Sequence, residues 1–186
     1  MRCPSGPSRA GASAESGRSA MAETADRTTA RLHLRQVTTA DVPVVVALQC
    51  DPRTNVHRPG GAPSREEGEQ AVHEFVRGWQ EHGVGYWAVE VDGRVVGVAG
   101  VRPLEFRGRE CWNLYYRFLP DVWGKGLAVE AAREAVAVAD ALYPARPVVA
   151  RTRPTNYPAL RVAEAAGLGR RPDLDGDGFV VLARGW

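Results

Sequence analysis

From residue 30 onward the apolar positions follow two rhythms, and where one gives way to the other predicts the elements. Leu32 and Leu34 alternate with Arg31, His33 and Arg35, the period of two expected of a half-buried strand. Thr38 followed by Asp41 reads as a capping box that opens a short helix through Val44 to Leu48, and a Pro- and Gly-rich loop then runs from Asp51 to Pro63. Ser64 with Glu67 forms a second capping box. Behind it Ala71, Val72, Phe75, Val76 and Trp79 fall on one helical face, ended by Gly83 and Gly85. Tyr86 to Val91 and Arg94 to Val101 return to the strand rhythm and are joined through Asp92-Gly93, a type I′ hairpin signal. Cys111 to Leu119 is the next strand. Leu127 to Leu142 is an Ala-rich helix, Pro147 to Thr152 a strand, Asn156 to Ala166 a helix closed by Gly167, and Phe179 to Ala183 a last strand.

Composition narrows the class. The chain has 186 residues, 44% of them hydrophobic and 25% charged, which suits one globular domain. A formal net charge of +2 gives no footprint for nucleic acid, and no RNA- or DNA-binding module is visible. Cys3, Cys50 and Cys111 are odd in number and lack metal-like spacing, so a reducing cytoplasm is the expected compartment. His33, His57, His73 and His82 form no HxxxH pair, which argues against zinc. Asp173, Asp175 and Asp177 imitate the start of a calcium loop, but the twelfth position is Arg184 and no helix pair flanks it, so a turn is expected and no metal. Residues 1–29 are Ser-, Gly-, Ala- and Pro-rich with few large apolar side chains. They read as a disordered tail before a domain at 30–186, with Met21 as a candidate start.

The junction Pro120-Asp121-Val122-Trp123-Gly124-Lys125-Gly126 changes the picture from class to chemistry. A strand ends at a proline, and a helix begins on two glycines. At such a helix start the first N–H groups lack partners and the macrodipole is positive, so main chain alone can hold a phosphate. The glycines let it approach without a Cβ in the way. Lys125 is the only lysine among 24 basic residues and adds a point charge at this place. A Walker A loop is excluded because no hydroxyl residue follows Gly126, and the dinucleotide fingerprint GxGxxG fails at Val129.

The segment PDVWGKGLAVEA resembles the acetyl-CoA pyrophosphate loop of the GNAT superfamily of N-acetyltransferases. It is nearest the branch that includes ribosomal-protein N-terminal acetyltransferases. Asp121 stands where many members carry Gln or Arg. A second stretch, NYPALRVAEAAG at 156–167, is similar to a later family motif and keeps Asn156, Val162, Ala163, Glu164 and Gly167. The order of elements also resembles that fold. The resemblance implies an α/β (α+β) domain: a mostly antiparallel mixed sheet of about six to seven strands, splayed between the fourth and fifth, with about four helices. It implies acetyl-CoA as co-substrate, an amine acceptor and no metal, and it allows a homodimer. For the cofactor it implies contacts from Phe118, Leu119, Trp123, Gly124, Lys125, Gly126, Leu127, Ala128, Asn156 and Arg161.

Amide formation from a thioester needs a neutral amine, donors for the tetrahedral oxyanion and a fate for the leaving thiolate. The resemblance places the oxyanion donor in the main chain near Phe118 or Leu119. Its usual acids fall on Ala159 and Ala163, which cannot serve. Tyr157 and Tyr115 are the candidate proton donors, and both also read as packed aromatics. Glu110, near the start of the fourth strand, is the candidate base, with Glu90 behind it; in the closer branch the acidic position falls on Asn113. The acceptor, a protein N-terminus or a small-molecule amine, would meet the loop Asn55 to Gly61, with Trp79, Tyr86 and Trp87 as candidate wall residues. A domain that binds acyl-CoA without turnover and a plain α/β domain without a CoA site are the alternatives.

Overall fold

One short joint in an otherwise continuous ladder of strands organises the molecule. The structure, a computed structural model, describes residues 25–186. Eight strands form one sheet: β1 (Asp26–Thr28), β2 (His33–Gln36), β3 (Tyr86–Val91), β4 (Arg94–Phe106), β5 (Arg109–Phe118), β6 (Val148–Thr152), β7 (Gly169–Arg170) and β8 (Val180–Arg184), in the order β1-β2-β3-β4-β5-β6-β8-β7. All neighbours are antiparallel except β5 and β6. Four α-helices accompany it: α1 (Val42–Cys50), α2 (Arg65–His82), α3 (Leu127–Leu142) and α4 (Tyr157–Ala165). This is the expected mixed fold. The strand count exceeds the expected six to seven because β1 and the two-residue β7 carry no alternation long enough to read.

Local chemistry explains most boundaries. Both capping boxes form, Thr38 with Asp41 and Ser64 with Glu67. Asp92 and Gly93 adopt φ of 49° and 75°, the type I′ geometry that their sequence requires. Arg107 and Gly108, at 52° and 74°, make a second such turn, so β4 and β5 run further than the expected Val101 and Cys111. The helix α4 ends as a Schellman motif: Gly167 N–H donates to Glu164 O at 2.9 Å and Leu168 N–H to Ala163 O at 3.1 Å.

Asp26–Thr28, which fall in the stretch expected to be disordered, form a strand. They pair with His33–Arg35, and Arg27 reaches Glu134 on α3 at 2.6 Å, because a strand needs only a neighbour's free edge and not an apolar sequence. Met21, Cys3 and the rest of that tail lie outside the described residues. The main core fills the space between sheet and helices around Trp87, Trp112, Leu34 and Val98. A smaller cluster of Cys111, Val149, Leu174, Val181 and Ala183 packs where β5, β6 and β8 meet. Among the described residues no helix is long and apolar enough to cross a membrane.

Candidate functional site

The joint between β5 and β6 consists of two pairs, Trp112↔Val148 and Asn113↔Val149, after which the strands part. The register of the other edge of β5 decides what the gap receives. Leu119 N–H donates to Val96 O at 2.9 Å, and in an antiparallel ladder the bonded pairs alternate. Odd residues of β5 therefore direct their main chain at β4, whereas Tyr116 and Phe118, beyond the joint, direct theirs into a slot. The carbonyl of Phe118 is already taken by the Trp123 indole N–H at 2.8 Å, which leaves its N–H facing the slot. Leu119 brings no free main-chain group: its N–H serves Val96, and its carbonyl accepts Val122 N–H at 3.2 Å.

At the end of β5 the chain turns through Pro120–Val122 into the glycine loop. Gly124 and Gly126 have φ of 75° and 77°, and Gly126 is the residue that opens α3. The first helical bond runs from Glu130 N–H to Gly126 O at 3.2 Å. Gly126 has no side chain to cap the N–H groups of Leu127, Ala128 and Val129 that follow it, which leaves the helix start without a side-chain cap, as an anion site requires. Lys125 is exposed above them and Trp123 is 51% exposed, whereas Leu127 is buried and Ala128 packs on the core, so these two offer main chain alone.

The loop is held from behind by a residue whose role the sequence did not disclose. Glu130 accepts bonds from Thr29 Oγ1 at 2.6 Å, Arg31 N–H at 2.9 Å and Arg31 Nε at 2.7 Å, and Arg31 Nη1 donates to Lys125 O at 2.7 Å. Burial alone would raise the pKa of Glu130, but these donors outweigh it and hold the carboxyl below its usual range. The turn between β1 and β2 thus buttresses the glycine loop.

On the other wall of the gap, Asn156 caps α4, its Oδ1 accepting Ala159 N–H at 3.3 Å. Tyr157 is 63% exposed and Arg161 is exposed on the same helix. The volume around Ala159 and Ala163 is met by a side chain absent from the sequence-based expectation: Tyr116 donates its hydroxyl to Ala159 O at 2.6 Å. Burial pushes that phenol well above its ordinary pKa, with the main chain at Ala163 acting weakly against the rise, so it stays protonated. Tyr116 also ties β5 to α4 across the gap. His57 does the same from the loop after α1, with its ring nitrogen 3.1 Å from Thr155 Oγ1.

The odd residues of β5 open onto a separate cavity of about 370 Å³ under α1 and α2. Asn113, Tyr115 and Arg117 line it from β5, Tyr86 and Arg102 from β3 and β4. Asn113 Nδ2 donates to Tyr86 Oη at 2.6 Å, and Gln49 Nε2 donates to Tyr115 Oη at 2.9 Å. Burial pushes the Tyr86 phenol up to about 12, against a smaller opposing pull from Arg102. From the expected acceptor loop Asn55 and Arg58 reach this cavity, whereas Trp79 and Trp87 are core.

The two candidate bases stand elsewhere. Glu110 has an 80% exposed side chain paired with Arg146 at 2.8 Å. It lies eight residues, roughly 26 Å of extended chain, from Phe118. Glu90 bonds His33 at 3.1 Å and Arg35 at 2.7 Å; the His33 bond, aided by Arg35, outweighs burial and keeps its carboxyl low. Neither lines the cavity.

Comparison with known proteins gives a consistent result. A sequence model described as an acetyltransferase (GNAT) domain matches residues 31–169. Among solved structures the chain is similar to an acetyltransferase from Agrobacterium tumefaciens str. C58, with TM-score 0.75 and 23% identity over 86% of this chain and 93% of that one. It is also similar to the ribosomal L7/L12 alpha-N-protein acetyltransferase RimL in complex with coenzyme A, with TM-score 0.67 and 16% identity over 85% and 96% of the two chains. A Salmonella typhimurium acetyl transferase that modifies the N-terminal serine of that ribosomal protein superposes with TM-score 0.63 and 17% identity over 84% and 95%.

Proposed function

The chain belongs to the acetyltransferase (GNAT) domain family, and from that premise we propose that it moves the acetyl group of acetyl-CoA onto a primary amine by direct attack in a ternary complex. One observation supports the reading: the glycine-started helix α3 and the parted edge of β5 meet at Phe118–Gly126, which sets uncapped helix-start N–H groups and a row of main-chain groups end to end. The pyrophosphate of acetyl-CoA sits on the N–H groups at Gly124–Ala128, with Lys125 alongside. The pantetheine arm runs down the slot, and its thioester carbonyl meets the main chain of Tyr116 and Phe118.

Acceptor and acyl donor then approach from opposite sides of β5, the amine through the cavity and the thioester through the slot. The N–H groups facing the slot are fixed by the ladder to β4 and stabilise the tetrahedral oxyanion without rearranging. Among the described residues no carboxylate stands free in the cavity to take the amine proton, since Glu67, at its rim, is committed to the Ser64 capping box. The acceptor therefore attacks as the neutral amine, deprotonated by water. The thiolate, whose conjugate thiol has a pKa near ~8.5, leaves without obligatory protonation. Tyr116 is neutral but spends its single O–H on Ala159 O, so it holds the slot wall in place rather than supplying the proton missing at Ala159 and Ala163. Tyr157 is too exposed to supply it, and Tyr115 serves the acceptor side.

The test is release of free CoA thiol from acetyl-CoA with a panel of amines, run beside a calorimetric titration of CoA. Amine-dependent release supports transfer. Tight CoA binding with no release from any amine supports a binding domain instead, and failure of both removes the reading of the glycine loop.

A further inference from the structure

The charged side chains on the cavity wall are three arginines, Arg58, Arg102 and Arg117, and one carboxylate, Glu67. Glu67 is already occupied: one oxygen accepts Ser64 N–H at 2.7 Å and the other lies 3.6 Å from Arg58. Arg102 and Arg117 have no carboxylate partner among the described residues. Of the other partly shielded arginines, Arg27, Arg35, Arg146 and Arg171 are each paired with a carboxylate, and only Arg153 among the described residues, bonded to the carbonyls of Asp177 and Gly178, is likewise without one. Arg117 directs Nη1 at three neutral oxygens, Asn55 Oδ1 at 2.9 Å, Thr54 Oγ1 at 3.2 Å and Gln49 O at 3.2 Å. These bonds hold the guanidinium in place and leave its charge uncompensated. Arg102 lies over the Tyr86 ring, 5.5 Å from its centre, and its Nε–H is shut off from solvent without an acceptor.

Two positive groups fixed in a half-enclosed cavity repel each other and any cation that enters, and an anion relieves both penalties. Guanidinium presents its N–H groups in a planar fork that fits a carboxylate edge. The remaining polar wall, Tyr86, Asn113 and Tyr115, is neutral, and burial keeps the Tyr86 phenol from ionising. The volume, about 370 Å³, is at the lower end for small-molecule sites and suits a ligand of amino-acid size.

We propose that the acceptor is a small amino acid-like molecule whose carboxylate is held by Arg102 and Arg117 while its amine faces the slot. This rests on the acyl-transfer reading for the role of the amine. The positions agree with it: Arg117 immediately precedes Phe118, so the carboxylate site and the acyl end of the slot lie on adjacent residues of one strand, on its face and at its edge. Polyamines and aminoglycosides, which carry only positive charge, are disfavoured by the same two guanidiniums.

The experiment compares α-amino acids with their α-carboxamides, together with spermidine and a serine-initiated peptide amidated at its C-terminus. Free thiol release gives kcat/KM, and direct titration of each acid and amide into the CoA-saturated protein gives binding without turnover. Acids are expected to exceed their amides by roughly ten- to a hundredfold in both, the range set by a hydrogen-bonded ion pair. In Arg102→Gln that ratio should fall to about threefold or less, and Arg102→Lys, which keeps the charge without the fork, should fall between. An unchanged CoA titration shows that each variant is folded. Equal use of acids and amides, or preference for spermidine or the amidated peptide, overturns the carboxylate site and leaves the transferase standing. If no amine releases thiol, the transferase reading fails and titration alone decides the site: binding of the acid over its amide upholds it, and equal or absent binding of the two overturns it.

Discussion

At Gly124 an added methyl group would meet no atom within 4 Å, yet the backbone sits at φ 75°, where an L side chain is strained. Gly124→Ala is therefore expected to cost roughly 1–2 kcal/mol of stability through the backbone alone. Its Cβ also intrudes where a phosphate approaches, so CoA affinity should fall at least about tenfold by calorimetry. At Glu110 the expectation is the reverse. An exposed pair with Arg146 contributes little, so Glu110→Gln should change thiol-release rates by less than about twofold. Asp41 sets part of the acid limit of the fold. Its burial alone would raise its pKa, but two bonds from Arg35 at 2.6 and 2.8 Å and one from Thr38 N–H at 2.8 Å win, and the net shift is downward. A carboxyl lowered on folding stabilises the protein above its unfolded pKa of 3.8, and that contribution is lost as pH falls through the folded value. Unfolding titrations should show stability dropping below about pH 4, with a shallower drop in Asp41→Asn.

Among the elements, those with local chemical punctuation were legible and those held only by distant partners were not. Asp92-Gly93, the two capping boxes and Gly167 each announce a backbone geometry that their own side chains impose, and each formed as expected. The hairpin at Arg107-Gly108 was hidden because arginine does not advertise a positive φ and Pro103 argues against a continuing strand. The structure resolves the conflict. Pro103 faces Trp112 at a pair that needs no bond from it, and its missing N–H points toward β3, which already ends at Tyr86↔Gly100. The glycine loop was legible as a strand-to-helix junction because two glycines there favour the positive φ that both adopt. The cavity was not, since its wall is assembled from α1, α2, the loop between them and three strands, which no sequence spacing relates. Tyr116 was missed for the same reason: its partner, Ala159 O, is 43 residues away. Tyr116→Phe should lower stability by about 1 kcal/mol in a denaturant series, the loss of one hydrogen bond between elements.

At the scale of the molecule the decisive fact is that, among the described residues, no carboxylate is left over to act as a base inside the cavity. The pH–rate profile should then follow the acceptor rather than the enzyme: with amines of different basicity, the rise in kcat/KM should move with the amine pKa. A fixed inflection shared by all amines would instead reveal a protein base. The joint between β5 and β6 has a mechanical consequence as well. Two residue pairs, the Tyr116 and His57 bridges, the ion pairs Arg146–Glu110 and Arg184–Asp140, and both apolar clusters connect the ladder β1–β5 to the ladder β6–β8. A molecule lying along that seam would join them as a rivet joins two plates. CoA should then couple the melting of one ladder to the other, sharpening the thermal transition and raising its midpoint with the logarithm of CoA concentration. Amide exchange should slow chiefly in β6, β8 and α4, the plate with the fewest fastenings of its own.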